Sequence, residues 1–478
     1  MMDGMQLSMR VGDISFGAAA AFLFGVFATN MGWNLWALGV IGLFSLAAIA
    51  LFLRRTNLWK MAALVLSVAA AGTLYYFAFV HWEAARTHVP TGKQTALFAV
   101  VTEEPKLAGN FMMLVASLSR PYAGTVDIFT SPNSNQFHYG DEVWMQGTVT
   151  PSEDVGEPPA MFLPRLRVVA EHQGCWLKAM VIGFKDLIAQ KIVQLLPADQ
   201  ASLLAGILIG TTGTVSAALK AQMEASGTTY IVNMYGYKIA IITAALAVAL
   251  KDRVPRKLLL WLTLAVIALF VFASGGAISA VRAAIMGSFA VVARGTGRVF
   301  SARNAITFSA VGMVALNATL LTDAGFQLSF LSFLGIYYLG PPINNYFHWT
   351  DGGALQWKEH AMLSLTTNLA ILPVAMNTFG GFSLTSLVSN ILIMIPWLAV
   401  IALGTLAVAL AWVSPILAFG VVRIVSVLLQ YELFIIRVFS AITVDLPMVF
   451  GSALVIALYY GILIVFAHYY AAPSQKDN

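Results

Sequence analysis

The runs Leu258 to Ala273 and Leu384 to Trp412 contain no charged side chain. Such a run can enter a hydrocarbon layer only as a helix, because an unpaired backbone N–H or C=O there costs several kcal/mol. Similar runs recur at Phe16 to Thr29, Leu35 to Leu53, Met61 to Phe79, Asn304 to Leu321, Gly325 to Leu339, Leu363 to Met376 and Met448 to Ala467. Together with shorter apolar stretches they predict about ten or eleven spans. The residues are 59% hydrophobic and 10% charged, and the mean hydropathy is +0.80, which excludes a soluble globular chain of 478 residues. The expected class is a polytopic α-helical membrane protein with an inserted small all-β, OB-like exported domain.

Residues 83–172 interrupt this pattern with short alternating runs: Thr95 to Thr102, Phe111 to Ser117, Thr125 to Thr130, Glu142 to Thr150 and Leu166 to Ala170. Five strands are the count of an OB-fold barrel. The segment carries six basic against ten acidic residues, whereas the rest of the chain carries 21 against 12. With so few cations, most of Phe98, Phe111, Phe129 and Trp144 are expected in the barrel core rather than on a nucleic-acid surface. The single cysteine, Cys175, rules out an intrachain disulfide, so this part must be held by its own core. Arg54, Arg55 and Lys60 mark a cytoplasmic loop, which places the β segment on the outer side.

Ser226 to Leu250 reads as a span whose first half is too polar. If its apolar part begins near Thr228, Lys238 lies about ten residues in, roughly 15 Å deep. A cation there costs roughly 2.5 to 3.5 kcal/mol and calls for a partner or an aqueous cavity. On one continuous helix Ser226, Tyr230, Asn233 and Tyr237 form a polar stripe, and Gly236 is able to break the helix beside Lys238. Arg282 is a second deep cation, more than two turns from Arg294, after the break marked by Gly275 and Gly276. The bland alternative pairs Lys238 with Glu224, Asp323 or Glu432 as a helix lock. Trp176 to Leu196, with Lys178, Lys185 and Lys191, reads as an amphipathic helix on the bilayer or packed on the bundle. Pro341 to His360 reads as an interfacial loop, Pro396 as a break, and Arg423, Gln430, Glu432 and Arg437 as an amphipathic helix near the surface.

Seven short segments then stand in order: Gly206 to Gly210, Ser226 to Ile239, Ser279 to Ala283, Gly325 to Phe330, Asn368 to Pro373, Phe379 to Ser383 and Asn390 to Pro396. In number and order they resemble the ComEC competence family, the inner-membrane DNA channel of natural transformation, and residues 83–173 are similar to that family's OB-like domain. Tyr230, Tyr235 and Lys238 stand where the family motif has histidine, serine and histidine. The organisation this implies is N-terminal spans in 1–82, the β domain in 83–173, an amphipathic interfacial helix in 174–200, a competence-type core in 201–470 and a polar tail in 471–478.

The resemblance implies a channel for single-stranded DNA in the bacterial cytoplasmic membrane, in contact with membrane lipids. Tyr230, Asn233, Tyr235, Tyr237, Lys238, Arg282, Gln327, Asn368 and Asn390 are the candidate path residues. Many members carry a metallo-β-lactamase-like nuclease domain; the seven histidines here form no such ligand cluster, so the expectation is no enzyme activity, no metal and no cofactor. The expected partners are a separate nuclease, a periplasmic or surface DNA receptor and a cytoplasmic DNA translocase. The alternatives are a permease for a small anionic solute or lipid headgroup, and a non-conducting scaffold.

Overall fold

A computed structural model describes residues 11–31, 57–108, 111–131, 137–152, 158–210, 215–229, 235–297, 299–349, 356–442, 445–446, 450 and 452–470. The expected span at Leu35 to Leu53 lies outside these residues. Helices α1 (Val11–Asn30) and α2 (Asn57–Arg86) cross closely because glycine removes a side chain from each. A Cβ at Gly25 would lie 1.9 Å from the Ala69 carbonyl oxygen, and one at Gly72 would lie 2.3 Å from that of Phe22.

Seven strands follow: β1 (Gln94–Val101), β2 (Lys106–Ala108), β3 (Phe111–Leu118), β4 (Thr125–Thr130), β5 (Glu142–Thr150), β6 (Ala160–Phe162) and β7 (Arg165–Ala170). The five expected strands are all present, and β2 and β6 are additional. Pairing runs β1–β3–β4–β6–β5 and returns to β1, so the ring closes and leaves no open edge among these five. Strand β7 follows β6 along the same edge of β5. The core is mainly aliphatic, built from Leu97, Ala99, Val101, Leu114, Ile128, Val143, Met145 and Met161. Phe98, Phe111, Phe129 and Trp144 are not in the core: strand alternation gives the buried face to their neighbours, and Phe98 remains 46% exposed.

Helix α3 (Trp176–Leu195) turns its polar side inward. Lys185, almost fully buried, pairs with Glu104 of the barrel at 2.7 Å, and Lys178 donates to the Thr102 carbonyl. Burial and the nearby Glu104 push the Asp186 carboxyl up, against the opposing effect of Lys185 and His138. Trp176, Met180, Phe184 and Leu187 face outward, and the Phe184 ring lies 5.8 Å from that of Trp412.

The helical body comprises α4 (Ala198–Ile209), α5 (Ala217–Ala225), α6 (Tyr235–Leu250), α7 (Arg256–Ala273), α8 (Ile278–Thr296), α9 (Ala302–Leu316), α10 (Ala324–Tyr346), α11 (Trp357–Phe379), α12 (Ser386–Val413), α13 (Pro415–Ala441) and α14 (Ala453–Tyr470). Among the described residues six helices are long and apolar enough to cross a membrane, α2, α7, α8, α11, α12 and α13, and five others are apolar but shorter. A two-stranded ribbon pairs β8 (Phe382–Ser383) with β9 (Asp445–Leu446).

Three expectations change. Helix α10 continues through Pro341 and Pro342 to Tyr346, so the interfacial loop is shorter than predicted. Helix α12 is unbroken at Pro396: the carbonyl of Leu392, which proline deprives of its helical donor, accepts from the Tyr431 hydroxyl at 3.3 Å. The same device serves Pro373, where the Tyr459 hydroxyl donates to the Leu369 carbonyl at 2.7 Å. Finally, α13 is not a surface helix; Glu432 on it is fully buried, and its apolar face joins α4 and α12 in the largest core cluster.

Two outcomes are expected. Tyr459→Phe should lower stability in detergent by about 1 kcal/mol, read from the unfolding midpoint, because the freed carbonyl loses its donor. In a double-mutant cycle Lys185→Met and Glu104→Gln should show a coupling of about 2 kcal/mol, since each single change leaves the other, a buried ammonium or a partly buried carboxylate, without its partner. Additive effects would show that the barrel is not held through this pair.

Candidate functional site

Helix α5 starts where Ser216 accepts from the Leu219 amide and ends at a turn through Gly227, whose φ is +66°. Ser226 to Leu250 is therefore not one helix. The turn is fixed from within: the Ser226 and Thr228 hydroxyls lie 2.9 Å apart, and Ser389 of α12 donates to the Ser226 carbonyl. Gly227 meets α12 so closely that a Cβ there would lie 2.3 Å from that of Ser386. Tyr230 and Asn233 lie outside the described residues, and Ser226 belongs to the turn, so the predicted single-helix stripe gives way to a break.

Helix α6 is described from Tyr235 onward and carries Lys238 on the side that meets α4. Lys238 is 4% exposed; its ammonium donates to the Gly206 carbonyl at 3.2 Å and lies 5.0 Å from the centre of the Tyr235 ring. Gly210, at φ +75° and ending α4, accommodates the Tyr235 hydroxyl, which would lie 3.3 Å from a Cβ at that position. Tyr237 is edge-on to Trp397 of α12 at 5.5 Å and 40% exposed.

Arg282 stands in the second turn of α8, which begins after Gly275 and Gly276, both with positive φ. It is 6% exposed; its Nε donates to the Ser329 hydroxyl at 2.5 Å, one terminal nitrogen reaches Met286 sulfur, and the guanidinium lies 4.2 Å from the centre of the Phe333 ring. Among the described residues no carboxylate forms an ion pair with it. Ala280, Ala283 and Ala284 on another side of α8 join Tyr235 and Ile239 in one core cluster. Lys238 thus faces α4 and Arg282 faces α10. Helix α7 returns the chain between α6 and α8, so these two run the same way. Lys238 precedes Lys251 by 13 residues and Arg282 precedes Arg294 by 12, so both cations sit about 18 to 20 Å from the basic ends of their helices.

The remaining candidates are separate. Gln327 donates to the Leu321 carbonyl and Asn368 to its own helix at Ser364, while Asn390 is 4% exposed with its carbonyl oxygen unbonded. Sequence reasoning did not single out Gly206, Ser329, Phe333 or Trp397 as partners, because helix packing rather than spacing brings them to the cations. On the barrel, register aligns Phe98 of β1 with Trp144 of β5 and Trp144 with Arg167 of β7; the next row aligns Ala96, Gln146 and Arg165. These side chains share the outer face, so two aromatics and two arginines lie together there. The alternation in Arg165-Leu166-Arg167 was the available signal.

Residues 207–473 match the family model described as competence protein. The chain is also 25% identical over 318 residues to ComE operon protein 3 of Bacillus subtilis (strain 168), an alignment covering 66% of this chain and 37% of that protein. No solved structure matches. The matched segment, more than half of the sequence, contains Lys238, Arg282 and the turn at Gly227, and on that match the chain belongs to the competence protein family.

Proposed function

We propose that this protein forms a passage for single-stranded DNA across the bacterial cytoplasmic membrane during natural transformation, with the barrel on the outer side. The observation that carries the reading is Arg282, buried among helices with no carboxylate pairing it among the described residues. A guanidinium has five N–H donors, and the Ser329 and Met286 contacts occupy only part of that fork. Such a group is costly in a membrane interior, and phosphate is the ligand its geometry suits. Lys238 at a similar level supplies a second cation, and Tyr235 and Tyr237 supply rings beside it. The Phe98, Trp144 and Arg167 row supports a role for the barrel in receiving the strand, since bases stack on aromatics of any sequence context. A separate nuclease, a DNA receptor and a cytoplasmic translocase are the partners this reading requires, and lipids surround the helical body.

Arg282→Ala should abolish delivery of DNA to the cytoplasm at unchanged protein level, scored by transformation and by protection of internalised DNA. Arg282→Lys should retain part of it, because an ammonium keeps the charge and loses the planar fork. Normal transformation by the alanine variant would overturn the assignment, and loss of small-anion uptake instead would favour a permease. Trp144→Ala in the full protein should weaken binding of a single-stranded oligonucleotide about tenfold, in line with roughly 1 to 3 kcal/mol per stacked base. Unchanged binding would remove the barrel face from the path.

A further inference from the structure

Glu432 is 0% exposed, and among the described residues neither of its carboxyl oxygens has a hydrogen-bond partner. It lies on the face of α13 that carries Val425, Leu429, Leu433 and Ile436, which pack in one cluster with Leu203, Leu204 and Ile207 of α4 and Ile393, Trp397 and Val400 of α12. The helices chiefly packed on α13 are α4, α5 and α12. Their titratable groups are Asp199 on α4 and Lys220 and Glu224 on α5, with none on α12; α13 itself adds Arg423, Tyr431 and Arg437. Asp199 is already paired with Arg437 at 2.9 Å, and none of these groups bonds to Glu432.

An ionised carboxylate in such surroundings carries a desolvation penalty of several kcal/mol with no cation to offset it. The neutral acid is the form this interior can hold. Among the described residues three further polar atoms without hydrogen-bond partners stand on the facing helix: the Ser386 hydroxyl, the side-chain oxygen of Asn390 and the indole N–H of Trp397. Counting from Ser414 at the turn between α12 and α13, Trp397 lies 17 residues before and Glu432 lies 18 after, so the two stand at nearly the same height. Pro396 shares that height, and the Leu392 carbonyl it frees is held by Tyr431, the residue next to Glu432. The backbone of α12 is thus least self-sufficient beside the buried acid.

We propose that Glu432 is an exchangeable proton-binding site in the helical core. The acid keeps its proton in the packed arrangement; when α12 and α13 separate enough to admit water, the O–H bond breaks, the proton passes to water, and the carboxylate left behind accepts from the Trp397 N–H. The reverse step takes a proton from water and restores the packed form. The site stands on the geometry of α12 and α13 and is independent of whether the transported polyanion is DNA.

The test is labelling of the full-length protein in lipid nanodiscs with dicyclohexylcarbodiimide, which adds to protonated carboxyls in apolar surroundings, followed by peptide mass spectrometry. The expected result is an adduct at Glu432 at neutral pH, absent in Glu432→Gln, falling as pH rises, and not formed by a water-soluble carbodiimide. Infrared spectra of the wild-type protein give a second reading: the protonated-carboxyl band assigned through Glu432→Gln should vanish at alkaline pH. Absence of the adduct at neutral pH, equal labelling by the water-soluble reagent, or labelling and band that persist at all pH values would each overturn the proposal.

Discussion

Backbone carbonyls that lose their helical donor inside the apolar body have to be met from another helix, and this requirement governs how the helices of the core are paired. Pro373 and Pro396 each free a carbonyl, and a tyrosine hydroxyl from a neighbouring helix takes up each one. Tyr459 and Tyr460 fasten α14 to α11, and Tyr431 fastens α13 to α12. Where no hydroxyl is used, glycine lets backbones approach directly, as at Gly335 against Thr366 and Ala370. The prolines are therefore points of attachment between helices rather than points of weakness within them.

Much of the architecture was legible. Apolar length identified helices, of which six among the described residues are long and apolar enough to cross a membrane where ten or eleven spans are expected, and alternation identified five of the seven barrel strands. The reading failed where the outcome depended on contacts between segments. Pro396 looked like a break because its compensating donor lies on another helix at Tyr431. Ser226 to Leu250 reads as one span because its second half is apolar, despite a polar first half, yet Gly227 adopts a positive φ and meets α12. Arg423 and Arg437 made α13 look superficial, while the residues between them pack into the core. Phe98 and Trp144 are expected in the core because cations are scarce in that segment, whereas strand alternation turns them to the outer face.

Lys238 and Arg282 illustrate the same division. Their presence and identity were plain from the sequence, and their similar distance from the basic ends of α6 and α8 follows from counting. Their direction was not. Lys238 turns to a carbonyl at the end of α4 and Arg282 to a serine on α10, so they mark two sides of one layer rather than one continuous stripe.

The buried pair between Lys185 and Glu104 has a mechanical meaning. Helix α3 touches the barrel through that pair and reaches α12 through Phe184 and Trp412, and α12 carries the close contact with the Gly227 turn. The barrel is thereby joined through α3 to the helix that braces the Gly227 turn. Barrel, α3 and α12 form one continuous line of contacts that ends at that turn.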